Sequence, residues 1–402
     1  MIIRRTIPPA AAPVSFIEIL HGIYGMMTDS PARKLEDEIR KYYNAKYVFT
    51  VSSGKAALFL ILTGLKTMSK RRKVIIPAYT CYSVPSAIVK AGLDAIPCDM
   101  RPETLDYDFD KLQIAADDET LCVISTHLFG IPSDVERIRK ICAGKGIFVI
   151  EDAAQAMGCA EGNKKIGTCG DVAFFSLGRG KNISCGSGGI IVTSSDAIFS
   201  AVSKAFEGVA REPATEITKT LMEVLLVKIF LNPSLYWIPD SLPFLKIGET
   251  TFDTNFPIYR LSDFKAGLLD RCFSKLERFN KARASVSVLF MDAMKPGPAM
   301  PIYHAGRPYL RFPIYVDNAV SKDRTYKRFR NRGVSRMYPD SVNRIKELKM
   351  DSSEGAYPGA ERIAKTLLTF PTHILLKDKD KTVLCDMIRE RWNDRDLNER
   401  ID

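Results

Sequence analysis

Residues 174–189 read FFSLGRGKNISCGSGG: one lysine, Lys181, set among glycines and serines shortly after two phenylalanines. Glycines at this density serve one of three ends: they cradle a phosphate, expose a reactive amine, or turn the chain between two buried strands. A nucleotide-binding P-loop is excluded, because Phe175 stands where its first glycine belongs and Asn182 where its Ser or Thr belongs. The flanks, VAFF (172–175) and GGIIVT (188–193), are apolar runs of strand length. A lysine held between two such strands is desolvated, and a desolvated amine has a lowered pKa and becomes a nucleophile.

Upstream of this stretch, strands and helices alternate. KYVFTV (46–51), KVIIP (73–77), AIPCD (95–99), LCVIST (121–126) and IFVIED (147–152) read as buried strands, with helical patterns at 55–66, 83–92 and 133–146. Two further helices are expected near 14–26 and 29–44. Continuous apolar strands separated by helices predict an α/β fold with a mostly parallel sheet covered on both faces. The large domain is expected over 1–258, with 205–257 as an irregular insertion. A long helix over 259–294 then leads into a smaller C-terminal α+β domain, 259–402 in all, with a mixed sheet. The charged end, 389–402, reads as a solvated helix terminus.

Composition narrows the class. A net charge of +11 favours anionic partners, phosphorylated small molecules among them. The basic tract 322–349 reads as a solvated helix face followed by a strand. No zinc finger, RNP strand or basic zipper accompanies it, so nucleic-acid binding is not expected. Nine cysteines, scattered singly from Cys81 to Cys385 without a C-x-x-C pair, fit reduced thiols in a cytoplasmic protein. No signal peptide is expected at the start. The most apolar tract, 221–245, carries Glu223, Lys228 and three prolines, so no transmembrane segment is expected; it reads as buried helix plus loop.

In open parallel sheets ligands sit at the carboxyl ends of the strands, where two more motifs fall. VSSGKAAL (51–58) is a strand, a Ser52-Ser53-Gly54 turn and a helix start; it offers free amides to a phosphate or is an ordinary capped turn. VIEDAAQAMG (149–158) ends a strand in Glu151 and Asp152. Asp152 there could hold a metal, a ribose or a protonated ring nitrogen, or cap a following helix; no second Asp or His nearby supports a metal. Taken together, the three motifs fit pyridoxal phosphate, which needs a lysine, a carboxylate for its pyridinium nitrogen and a helix N-terminus for its phosphate.

These stretches, with VIIPAYTCYSVPSAIVKAGLDAIPCDMRPETLDYD (74–108) and THLFGIPSDVERI (126–138), resemble the DegT/StrS family of sugar aminotransferases. The resemblance is close over about 35–200 and looser from 259 onward. It implies the fold-type-I aminotransferase architecture, with a seven-stranded sheet, and pyridoxal phosphate as cofactor. On it, Lys181 is the lysine that carries the cofactor and moves the proton, Asp152 the pyridinium partner, and Gln155 a contact to the ring's polar edge. Ser176 and the Ser53-Gly54-Lys55 turn bind the phosphate, and His127 is a cofactor contact or a structural residue. Cys81 occupies the place of the aromatic that stacks on the ring, with Tyr82 its possible substitute; Lys55 replaces a threonine, and Ile258 an asparagine that reaches the partner subunit's phosphate. YRLSDFKAG (259–267) implies a homodimer with sites at the interface. The implied reaction moves an amino group, with glutamate as donor, to a keto sugar carried on a nucleotide diphosphate. Arg311 and Arg336 are candidates for that diphosphate. The family's dehydratases carry histidine at the lysine position, so Lys181 argues against dehydration; a non-catalytic, cofactor-binding or regulatory member is the other alternative.

Overall fold

The computed structural model describes residues 5–242, 248, 250–294 and 301–398. The rest of the expected 205–257 insertion (243–247 and 249) and of the charged end (399–402) lies outside the described residues. Helices α1 (Phe16–Gly25) and α2 (Pro31–Tyr43) come first; Ser15 and Glu18 form a reciprocal cap on α1. The strands then run β1 (Tyr47–Val51), β2 (Lys73–Pro77), β3 (Asp94–Cys98), the short pair β4 (Met100–Arg101) and β5 (Asp106–Tyr107), and β6 (Thr120–Thr126). They continue with β7 (Phe148–Asp152), a small hairpin of β8 (Ala160–Glu161) and β9 (Lys164–Lys165), β10 (Val172–Ser176) and β11 (Gly189–Thr193). Between them lie α3 (Gly54–Met68), α4 (Ser83–Lys90), α5 (Phe109–Ala115) and α6 (Val135–Cys142), with α7 (Asp196–Glu207) after β11.

Seven strands form one sheet in the order β1-β11-β10-β7-β6-β2-β3. Only β11 runs against the others. Side chains two apart share a face, and the core divides accordingly. Val74, Ile76, Ile124, Ile150, Phe174 and Ile191 pack under α3, α4 and α7. The intervening Ile75, Val123 and Val149 pack on α5 and α6, while Ala173, Phe175 and Val192 pack on α2. Each such side chain contributes about 1.5–3 kcal/mol by leaving water, which is why the strands read as unbroken apolar runs.

Past α7 the structure departs from expectation in part: the helix expected within 221–245 is present, but it begins at Ala214 and most of it is not buried. The insertion is helical over α8 (Ala214–Phe230) and α9 (Trp237–Asp240). Pro213 and Pro233 bracket α8, but its apolar residues surround the axis and only Thr220 and Val224 are buried, so no one-sided period marks it. The expected 259–294 helix is two, α10 (Asp263–Gly267) and α11 (Cys272–Asp292), broken where Arg271 adopts φ +53°.

Farther on, β12 (Arg311–Tyr315), α12 (Ala319–Phe329), α13 (Pro358–Thr366), β13 (Leu367–Pro371) and α14 (Asp378–Asn398) make a smaller α+β unit. Its sheet is not mixed: β12 and β13 pair antiparallel, with a single bridge from Ser335 to Thr369. Within the basic tract α12 ends in turns and single 3-10 turns rather than a strand. Phe312 and Leu384 of this unit and Phe290 of α11 share one core with Tyr79 and Phe129, which lie beyond the carboxyl ends of β2 and β6. No helix among the described residues is long and apolar enough to cross a membrane, and all nine cysteines are free thiols.

Candidate active site

The period of two sends the neighbouring acids of β7 to opposite faces. Glu151 shares the Val149 face and is consumed by structure. Its oxygens accept hydrogen bonds from His127 Nε2 (3.0 Å) and from the amides of Gly167 (2.8 Å), Cys169 (2.6 Å) and Gly170 (2.6 Å). Burial pushes its pKa up, but the His127 hydrogen bond and the amides outweigh burial and hold it below the ordinary value. His127 Nδ1 accepts from the Ser133 amide (3.1 Å), and the Ser133 hydroxyl donates to Asp106 (2.7 Å). Both ring nitrogens of His127 are therefore taken, and its polar atoms brace Glu151 rather than face a ligand.

Asp152 lies on the α3 face, 6% exposed, and accepts from the Ala154 amide (3.0 Å). Turns rather than a helix follow it, so it caps none. Gln155 accordingly stands on a turn: its Oε1 accepts from the Phe129 amide (3.2 Å) and its Nε2 donates to the Tyr338 hydroxyl (2.7 Å). With both ends engaged, Gln155 fixes Tyr338.

Lys181 sits at the tip of the turn joining β10 to β11, preceded by Gly180 at φ +73°, a conformation that glycine adopts without strain. Burial lowers the Lys181 pKa; Cys81 and Asp152 oppose the fall and Arg311 deepens it. Asp152 is pushed the other way, up, by burial against the pull of Lys181. These directions put a nucleophilic amine and a desolvated carboxylate in one electrostatic field. Arg283 of α11, 1% exposed, holds the turn from behind. It donates to the carbonyls of Lys181 (3.4 Å) and Asn182 (3.1 Å) and to Asn280 Oδ1 (2.9 Å). Asn280 donates in turn to the Met157 carbonyl (3.0 Å), and Asn182 Oδ1 accepts from the Met157 amide (3.3 Å). One buried network thus ties the lysine turn to the loop after Asp152.

The phosphate-type turn lies alongside. Ser53 caps α3 with its own hydroxyl, which accepts from the Ala56 amide (3.1 Å). Its part toward an anion would therefore be to leave the first-turn amides pointing outward. A Cβ on Gly54 would fall 3.1 Å from Ser176 Cβ, so glycine is what lets that helix start meet the end of β10. Lys55 leans away, over the Phe256 ring (4.8 Å) and toward Asp253 (3.9 Å).

Tyr82 donates its hydroxyl to the Asp340 carbonyl (3.2 Å), and the Cys81 thiol lies within hydrogen-bonding distance of the Ser83 and Thr250 hydroxyls. Arg336 is not delivered to the site: it pairs with Asp323 on α12 and covers the Tyr326 ring at 4.1 Å. Arg311 is delivered, entering the electrostatic surroundings of Lys181, Tyr236 and Tyr338. The sequence reading missed Tyr338, Tyr236 and Arg283. Only Arg283 left a signal, a charge on the α11 face that otherwise buries Leu276, Phe279, Val286 and Phe290.

These residues fit pyridoxal phosphate. Among the described residues the buried hydroxyls of Thr80 and Thr126 have no hydrogen-bond partner, and Thr126 is paired in register with Asp152. The start of α3, a lysine of lowered pKa and a carboxylate complete the set. Fold and site together define a fold-type-I pyridoxal-phosphate aminotransferase architecture. The chain belongs to the DegT/DnrJ/EryC1/StrS aminotransferase family, a pyridoxal-phosphate-dependent family whose model matches residues 18–389.

It is 32% identical over 166 residues to GDP-perosamine synthase of Vibrio cholerae, covering 41% of this chain and 45% of that protein. The match thus spans about half the length of that relative. It is 25% identical over 366 residues to the pleiotropic regulatory protein of Geobacillus stearothermophilus, covering 89% and 88% of the two chains. Its fold superimposes on Helicobacter pylori PseC, an aminotransferase involved in the biosynthesis of pseudoaminic acid. The TM-score is 0.77 at 14% identity, covering 97% of this chain and all of that one.

Proposed function

We propose that this chain is a pyridoxal-phosphate aminotransferase that moves an amino group from an amino acid, glutamate in the first instance, to a keto sugar carried on a nucleotide diphosphate. The observation that carries the reading is the shared field of Lys181 and Asp152 at the carboxyl edge of the sheet. The bound cofactor supplies an electron sink for the bond broken at the substrate carbon. Asp152, whose pKa burial raises against the pull of Lys181, would hold the proton on the ring nitrogen. The Lys181 amine, its pKa lowered by burial, would hold the cofactor between turnovers and move the proton once released. Amides at the start of α3 and the Ser176 hydroxyl bind the phosphate. A homodimer in the cytoplasm belongs to the same proposal, with Ile258 unable to make the polar contact an asparagine would offer a partner's phosphate.

Absorption spectra with added pyridoxal phosphate, before and after borohydride, test the reading. Wild type gains a band that borohydride abolishes, leaving the cofactor covalently fixed to Lys181, and Lys181→Ala gains none. A wild type with no such band, even with cofactor in excess, overturns the enzyme reading and favours a regulatory role, as the name of the Geobacillus relative suggests for that protein.

A further inference from the structure

A buried hydroxyl without a hydrogen bond costs free energy, so a bare one beside a site marks a place where a polar ligand atom is expected. Thr126, the last residue of β6, is 7% exposed, and its Oγ1 has no hydrogen-bond partner among the described residues. Ser125 is bare as well, but it stands in register with Glu151, on the opposite face of the sheet. Thr126 stands in register with Asp152, so its side chain leaves the sheet on the side of the site. Thr80, just past β2, adds a second bare and fully buried hydroxyl on the same flank, since β2 is the strand beyond β6.

The order of the strands decides which edge of a ligand meets this flank. Across the sheet run β10, β7, β6 and β2. Ser176 ends β10 against the start of α3, where a Cβ on Gly54 would fall 3.1 Å from the Ser176 Cβ. The phosphate end of the site therefore lies on one side of Asp152, and Thr126 on the other. In pyridoxal phosphate the ring nitrogen stands opposite the carbon that bears the reactive group. The phosphate arm and the 3-oxygen flank that carbon, one on each side. With Asp152 at the nitrogen and Lys181 at the opposite end, a phosphate on the β10 side leaves the 3-oxygen on the β6 side.

We propose that the Thr126 hydroxyl donates a hydrogen bond to the 3-oxygen of the cofactor ring, an assignment that rests on the aminotransferase reading. Gln155 has its Oε1 bound to the Phe129 amide and one proton of Nε2 given to Tyr338, which leaves a single amide proton for the same edge. A donor at the 3-oxygen favours its ionised form and so loosens the proton that this oxygen shares with the Lys181 nitrogen. Thr126 thereby orients the ring and sets the pH at which that proton leaves.

Two variants separate the hydroxyl from its scaffold: Thr126→Val removes it and keeps the branch, and Thr126→Ser keeps it and drops the methyl. With pyridoxal phosphate added, Thr126→Val should bind about tenfold more weakly than wild type, the worth of one hydrogen bond to an ionised oxygen. The midpoint at which the absorption band changes position with pH should rise by about one pH unit, because an oxygen that has lost a donor keeps its shared proton longer. Thr126→Ser should restore both, and a loss of packing alone would not move the midpoint. Without cofactor the order reverses. Thr126→Val relieves a bare buried hydroxyl, so the cofactor-free variant should unfold at a higher temperature than wild type. A lower unfolding temperature overturns the assignment, because the hydroxyl would then serve the fold. A cofactor affinity and midpoint that match wild type overturn it as well, with the aminotransferase reading intact. If wild type itself shows no band, that reading fails and takes this assignment with it.

Discussion

Lys181 is held in place through backbone carbonyls, with no hydrogen bond to its amine among the described residues. Arg283 serves three carbonyls at once, those of Ala11, Lys181 and Asn182. Replacing it with methionine keeps the volume but strands those acceptors in the core, so Arg283→Met should lower stability by about 3 kcal/mol. Urea unfolding measures the loss, and a cost below about 1 kcal/mol would mean that the network is not needed to hold the turn. At this scale the sequence is legible where chemistry is local. Lys181, Asp152 and the Ser53-Gly54 turn each stand at a strand end, and a strand end is visible in one stretch of chain. Gln155, His127 and Arg336 were misjudged or left open because what decides each is a partner far away in sequence: Tyr338, Glu151 with Ser133, and Asp323.

Helix α8 is fastened at its foot by a buried ion pair. Glu212, just before the helix, accepts from Lys265 of α10 at 2.5 Å, with both side chains 3% exposed. Its second oxygen has no partner among the described residues, so the pair is poorly compensated. Lys265→Met should therefore destabilise by about 3–5 kcal/mol, whereas the double change Glu212→Gln with Lys265→Met should recover much of that loss. A double-mutant cycle by chemical denaturation checks it, and additive losses would show that the two side chains act separately. Element types were legible for the main sheet because both faces are covered and the strands read as pure apolar runs. They were legible only in part for α8: a helix was read within 221–245, but its start at Ala214 and its mostly unburied surface were not, because apolar residues ring the axis and no buried stripe sets a period. The α10–α11 break was equally hidden, since a left-handed arginine leaves no mark in composition.

The two units of the molecule share the core around Phe129 and Phe312, and the N-terminal segment is stitched across to the smaller one. His373, buried, donates from Nε2 to the Pro8 carbonyl (2.8 Å), while its Nδ1 accepts from the Leu375 amide (3.3 Å). Burial, with Arg283 and Arg311 nearby, pushes its pKa down to about 4 from 6.5, against the hydrogen bond to Pro8. On acidification the unfolded chain takes up this proton first. The stability His373 contributes is therefore whole above pH 6.5 and fades as pH falls through 4, by about 3 kcal/mol. His373→Gln should flatten that part of the profile, and equal slopes for the two proteins between pH 6.5 and 4 would refute the assignment. The single reversed strand, β11, carries a wider consequence. In a sheet with every strand aligned, the chain leaving β10 would have to cross to the far edge before starting the next strand. Because β11 turns straight back, the segment bearing Lys181 is a bridge with both abutments on the same bank. Its span is then set by residue count, so adding or removing a residue within 177–188 should displace Lys181 from the edge of the sheet even with every side chain kept.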